Sequence, residues 1–164
     1  NYILSTEHGP RGGDEINLIK KNNNYGWPCK TLGTLYSYEF TALDDDMWPN
    51  KEVLKGNGCN ENLIFSDPLY SWTPSINDGS IAPSQGFHYK GDYFKKYKNN
   101  IIIGSLAATS LFRMVLSDEL KIINIERINI NERIRDLMEL DDGKILIYTD
   151  GGSLIVLTKV INND

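Results

Sequence analysis

Short apolar runs separated by turn signals recur along the chain, and almost nothing carries helical spacing. Tyr2 to Glu7 (YILSTE) and Glu15 to Lys20 (EINLIK) read as two strands split by a glycine-rich loop. From Lys21 to Asp67 the pattern thins. Asn22-Asn23-Asn24, Asp44-Asp45-Asp46 and Gly56-Asn57-Gly58 favour turns, which predicts a long decorated loop with short strands or one helical turn around Leu54. Beyond Pro68 the strands become regular. Gln85 to Lys90, Asn100 to Ser105, Ser110 to Leu116, Lys121 to Ile128, Ile134 to Leu140, Lys144 to Thr149 and Ser153 to Val160 are each bounded by Gly, Asn, Asp or Ser. Asp141-Asp142-Gly143 and Asp150-Gly151-Gly152 are hairpin signals, because tight β-turns need the positive φ that glycine adopts freely.

Short strands joined by tight turns predict an all-β fold. Their spacing fits a β-propeller of four-stranded antiparallel blades, with a sandwich as the alternative on pattern alone. At about 40 to 45 residues per blade, the chain supplies roughly three to four blades, so residues 1–164 read as one partial propeller domain.

Composition narrows the classes. A length of 164 residues with 40% hydrophobic and 24% charged residues is ordinary for a globular domain with a real core. Seventeen basic against twenty-two acidic side chains leave a net charge of −5, and no basic cluster stands against an aromatic stripe, which argues against nucleic acid. No apolar run reaches the roughly 18 residues of a membrane span. The start at Asn1 shows neither a signal peptide nor an initiating Met, so it is expected to be a cut or processed end. Cys29 and Cys59 either close one disulfide in an oxidising compartment or remain two buried thiols.

Two stretches carry candidate chemistry. In Glu7-His8-Gly9-Pro10-Arg11-Gly12-Gly13-Asp14-Glu15, a Gly-Pro followed by Gly-Gly makes an irregular loop that presents carbonyl oxygens, with two carboxylates directly after it. That is the hard oxygen set suited to Ca²⁺, and the plainer reading is a polar turn leading into a strand. In Glu132-Arg133-Ile134-Arg135-Asp136, the two arginines sit two apart on a predicted strand and are expected on one face. Two guanidiniums on one face call for an anion between them, and their planar forks match carboxylates. The plainer reading is a surface pair balanced by Asp136 and Glu132. No Gly-x-Ser-x-Gly elbow is present, neither cysteine has a histidine in its local context, and Asp44-Asp45-Asp46 lacks EF-hand spacing.

EHGPRGGDEINLI, NNYGWP, SWTPSI with IAPS, GSLAATSLFRMVL, ERIRDL and DDGKILIYTD run in the order found in soluble sugar dehydrogenases that use pyrroloquinoline quinone (PQQ). The chain resembles the aldose sugar dehydrogenase branch of the glucose/sorbosone dehydrogenase family over nearly all its length. The family's propeller has six blades, and the matched motifs belong to its C-terminal half. The resemblance therefore implies a half-ring, either a fragment, a cleaved piece or a pairing subunit, closed by a missing N-terminal half or a second copy.

It also implies an activity: oxidation of a sugar's anomeric hydroxyl to a lactone, with electrons passing to an external acceptor in a periplasmic or secreted protein. By the same resemblance Arg133 and Arg135 bind PQQ, and the carbonyls of Gly9 and Pro10 bind the Ca²⁺ that holds it. Glu15 and the Tyr25 carbonyl are implied as ligands of a second, structural Ca²⁺. Trp72 lies where the family brings an aromatic to cofactor and sugar, although Asn77-Asp78-Gly79-Ser80 looks inserted after it and favours a packing role. Ala107 stands where glucose dehydrogenases of the family place a lysine, and the aldose branch also tends to carry alanine there. Neither His8 nor His88 matches the family's catalytic base, which lies in its N-terminal half. The competing expectation is a non-catalytic propeller that binds a carbohydrate or protein partner.

Overall fold

The computed structural model describes residues 2–33, 59, 62–73 and 79–160. Leu54, Asp44-Asp45-Asp46 and Gly56-Asn57-Gly58 lie outside them, as do Asn77 and Asp78. The chain divides into two compact units, Asn1–Ser80 and Ile81–Asp164.

Among the described residues, the first unit holds one antiparallel sheet in the order β1-β2-β3. β1 (Ile3–Glu7) pairs with β2 (Asp14–Ile19) from Ile3↔Ile19 to Glu7↔Glu15. β3 (Tyr70–Trp72) lies along the other side of β2 with Asp14↔Trp72. As the middle strand, β2 buries Asp14, Glu15, Ile16 and Asn17, while Ile3 at the outer edge is 67% exposed. Three residues are too few to display a period of two, which is why β3 escapes a pattern reading. Cys29 and Cys59 are disulfide-bonded, resolving the two alternatives left by the sequence.

The second unit holds two antiparallel sheets. β4 (Pro83–His88), β5 (Ile101–Ser105), β6 (Ser110–Leu116) and β7 (Ile122–Asn129) form a four-stranded meander. β8 (Ile134–Glu139), β9 (Ile145–Thr149) and β10 (Leu154–Leu157) form a three-stranded one. The predicted strands from Gln85 onward all appear, with shifts of a few residues at their ends. Tyr89, Ile102, Leu111, Ile134, Leu137, Ile145 and Ile147 close one core between the two sheets.

Contacts at the strand ends hold this core. The Tyr89 hydroxyl, fully buried, donates to the Gly143 carbonyl at 2.6 Å and accepts from the Phe94 N–H at 2.9 Å. Gly143 itself sits at φ 78° and closes the predicted Asp141-Asp142-Gly143 turn onto Leu140. Gly104 allows the sheets to approach, since a Cβ there would fall 2.6 Å from Ile134 Cγ2. Among the described residues, no helix is long and apolar enough to cross a membrane.

Candidate functional site

In the first unit, the glycine-proline loop joins β1 to β2 and is braced from within. Asp14, fully buried, accepts from the Gly9 N–H at 3.0 Å through Oδ1 and from the Ser80 hydroxyl at 2.7 Å through Oδ2. The Gly13 N–H donates to the Trp72 carbonyl at 2.7 Å, which ties the loop to β3. Gly13 must be glycine, because its φ is +67° and a Cβ would lie 2.0 Å from the Gly33 nitrogen. With the Gly9 N–H engaged, Gly9 and Pro10 have their carbonyl oxygens left to offer, and no donor among the described residues takes either.

Beside the loop lies a cavity of about 10 Å³, on the order of one water or ion, lined by Glu7, His8, Gly9, Glu15 and Tyr25 among others. Glu7 and Glu15 face each other across the β1–β2 register, an arrangement of like charges that costs stability unless something lies between them. The Asn17 amide bridges them, donating to Glu7 Oε2 at 3.1 Å and Glu15 Oε2 at 3.4 Å. Burial first of all raises the Glu15 carboxyl above the usual range; the Asn17 hydrogen bond and Lys30 oppose the rise, and Glu7 adds to it. Lys30 is itself drawn to Asp67 at 2.9 Å.

Asn17 Oδ1 is buried with no hydrogen-bond partner among the described residues. Two carboxylates, an orphaned amide oxygen and nearby backbone carbonyls are hard donors that fit Ca²⁺. Among the described residues no group of three or more His, Cys, Asp or Glu side chains gathers as a metal cluster. A cation here would accordingly lean on carbonyl and amide oxygens as well as carboxylates.

Tyr25 is held by its side chain, which donates to the Leu18 carbonyl at 2.7 Å and accepts from the Lys20 N–H at 2.6 Å. Trp72 is half-buried on β3 and packs edge-on against Tyr70 with ring centres 5.0 Å apart. Asp14 is one of the two carboxylates that the sequence places after the loop, but its role is to brace the Gly9 N–H, and Glu7 and Asn17 carry no such local signal. A Glu7–Glu15 hairpin register was the one available signal for Glu7.

In the second unit, Arg133 and Arg135 meet, though not as two positions of a flat strand. Arg133 precedes β8, and the β8–β9 register shifts between Ile134 and Asp136, leaving Arg135 as the extra residue of a β-bulge. A bulge re-aims the side chain it carries. Both arginines reach Asp150 rather than the expected Asp136 or Glu132. Arg133 Nε donates to Asp150 Oδ2 at 3.0 Å, Arg135 Nε donates to Oδ1 at 3.0 Å, and an Arg135 terminal nitrogen also bonds Oδ1. Arg135 first, then Arg133, holds the Asp150 carboxyl below its usual range. Both guanidiniums remain about half exposed, at 54% and 50%, with N–H groups left over for an outside anion. The donor set fits a carboxylate-rich ligand such as PQQ.

Comparison with known proteins bears on all of this. The family model Glucose / Sorbosone dehydrogenase matches residues 1–157. The chain belongs to the glucose/sorbosone dehydrogenase family. It is 31% identical to aldose sugar dehydrogenase YliI of Escherichia coli (strain K12) over 155 residues, which is 93% of this chain and 37% of that protein. It is 26% identical to quinoprotein glucose dehydrogenase B of Acinetobacter calcoaceticus over 187 residues, 90% of this chain and 38% of that one. The apo-form crystal structure of the soluble aldose sugar dehydrogenase from E. coli superposes with a TM-score of 0.68 at 27% identity, covering 93% of this chain and 39% of that chain. The chain thus spans between 31% and 38% of the length of the curated relatives it matches. Its antiparallel sheets are β-propeller blades, as the sequence pattern predicts.

Proposed function

We propose that this chain is the C-terminal part of a PQQ- and calcium-dependent aldose dehydrogenase that oxidises an anomeric hydroxyl to a lactone. The observation that carries the reading is the gathering of Arg133 and Arg135 on one carboxylate with guanidinium N–H groups to spare. PQQ, when bound, supplies the two-electron acceptance that sugar oxidation requires.

The residues of this chain hold and orient. Arg133 and Arg135 take the cofactor's carboxylates. The Gly9 and Pro10 carbonyls would hold a cation, on a loop braced by Asp14. Glu15, helped by Glu7, holds a second cation with the Tyr25 carbonyl. Trp72 offers a flat aromatic surface of the kind that stacks on a sugar or a quinone. The base that accepts the hydroxyl proton comes from outside the chain: His8 is an exposed loop residue and His88 is a β4 strand residue. Sugar and an external electron acceptor are the remaining partners, and the Cys29–Cys59 disulfide favours a periplasmic or secreted setting.

The protein carrying this chain is expected to bind PQQ with a change in the quinone absorbance and a rise in melting temperature, since a ligand selective for the folded state stabilises it. Arg133→Ala with Arg135→Ala should abolish the rise. An unchanged melting temperature at saturating PQQ and Ca²⁺ would refute the reading.

A further inference from the structure

Asp150 meets two arginines from a turn that leaves it little freedom. Its N–H donates to the Arg133 carbonyl at 2.8 Å, and the following turn closes through the Gly152 N–H on the Thr149 carbonyl at 3.0 Å. Thr149, fully buried, donates its N–H to the Ser153 carbonyl at 3.0 Å and accepts from the Ser153 N–H through its hydroxyl at 3.1 Å. The backbone that carries this carboxylate is thus tied to Arg133 on one side and to the β9–β10 turn on the other.

Its two oxygens divide their work. Oδ2 takes the Nε edge of Arg133, and Oδ1 takes the Nε edge of Arg135. Each guanidinium has five N–H donors in a rigid plane, so fixing one edge fixes where the others point. Without a shared anion, two like charges so close would splay apart. One carboxylate against two guanidiniums leaves a residual single positive charge, and the triad still attracts an anion. Asp136 is not part of it, since its Oδ1 accepts from the Leu137 N–H at 2.7 Å.

We propose that Asp150 is a positioning residue that aligns the Arg133 and Arg135 forks into one receptor for a polycarboxylate, the flat tricarboxylate PQQ on the functional reading above, on which this inference rests. It touches the arginines rather than the ligand. Pre-set forks lose less freedom when an anion docks.

The sign of one substitution separates this role from simple electrostatics. Removing the Asp150 charge should tighten anion binding if charge alone mattered, because repulsion disappears. Loss of alignment weakens it. In the full-length protein carrying this chain, titration with PQQ followed by quinone absorbance should give Asp150→Asn an affinity about tenfold weaker than wild type, with Asp150→Glu recovering most of the loss. In the ligand-free protein, the Arg133 and Arg135 Nε–H resonances should be protected from exchange in wild type and lose protection together in Asp150→Asn.

Citrate, run as a second titrant, separates the two readings. If wild type takes citrate but no PQQ, and Asp150→Asn weakens citrate binding, the quinone reading falls and the positioning role stands. Equal or tighter binding in Asp150→Asn overturns the positioning role, as does a wild type that binds neither anion.

Discussion

At the scale of single residues, the decisive fact is how charge is shared across short distances. Glu15 sits opposite Glu7 and is buried, so its carboxyl is raised. A raised acid stabilises the fold fully below its unfolded pKa, and that contribution is lost as pH rises through the folded pKa. The melting temperature of wild type relative to Glu15→Gln should therefore fall as pH climbs from the acid range toward neutral in metal-free buffer. The exposed pairs at Asp67, Asp92, Asp142 and Asp150 cancel in that difference. Added Ca²⁺ should raise wild type by more than Glu15→Gln, which keeps the Gly9 and Pro10 carbonyls. A pH-independent difference would contradict the raised Glu15 carboxyl, and an equal Ca²⁺ response in the two proteins would remove Glu15 from the cation site. Glu15 was legible in the sequence as a carboxylate after a carbonyl-rich loop. Its partner Glu7 and the Asn17 bridge were not, because opposition across a hairpin depends on register.

At the scale of elements, strands and turns follow closely from local pattern, while the contacts between sheets do not. Short apolar runs bounded by turn residues place every strand from β4 to β10, and the Asp-Gly turns fall where positive φ demands them. The bulge in β8 left no mark in the alternation, yet it decides where Arg135 points. Tyr89 is similar: nothing near Phe87-His88-Tyr89 announces that its hydroxyl satisfies a carbonyl 54 residues away. Tyr89→Phe leaves the Gly143 carbonyl and Phe94 N–H without their partner in a buried site and should cost about 1 to 3 kcal/mol in denaturant unfolding. Ile147→Ala, which empties a fully buried position of the same core, should cost about 2 to 5 kcal/mol. Changes within about 0.5 kcal/mol would mean these contacts do not hold the second unit together.

At the scale of the whole molecule, open edges and covalent closure govern behaviour. β1 and β10 are outer strands of three-stranded sheets, with Ile3 and Leu154 67% and 69% exposed. Unpaired edges are templates for association. We propose that a missing N-terminal half or a second copy completes the ring, so light scattering of this chain alone should detect association; a monodisperse monomer would overturn the proposal. The Cys29–Cys59 bridge closes a loop of sequence separation 30, and its reduction or Cys29→Ser should cost about 3 to 4 kcal/mol by chain entropy. Equal unfolding midpoints with and without reductant would contradict that.

What the amino-acid order determined by itself is whatever depends on near neighbours. The strand period, the glycine turns, the carbonyl-rich loop and the motif order that marks the family are all local in this sense. Only the tertiary structure decided the Asp150 grip on two arginines, the Asn17 bridge between Glu7 and Glu15, and the pairing of Cys29 with Cys59. Each of these joins residues well separated along the chain, or turns on a register in which one extra residue redirects a side chain, and local spacing carries no record of either.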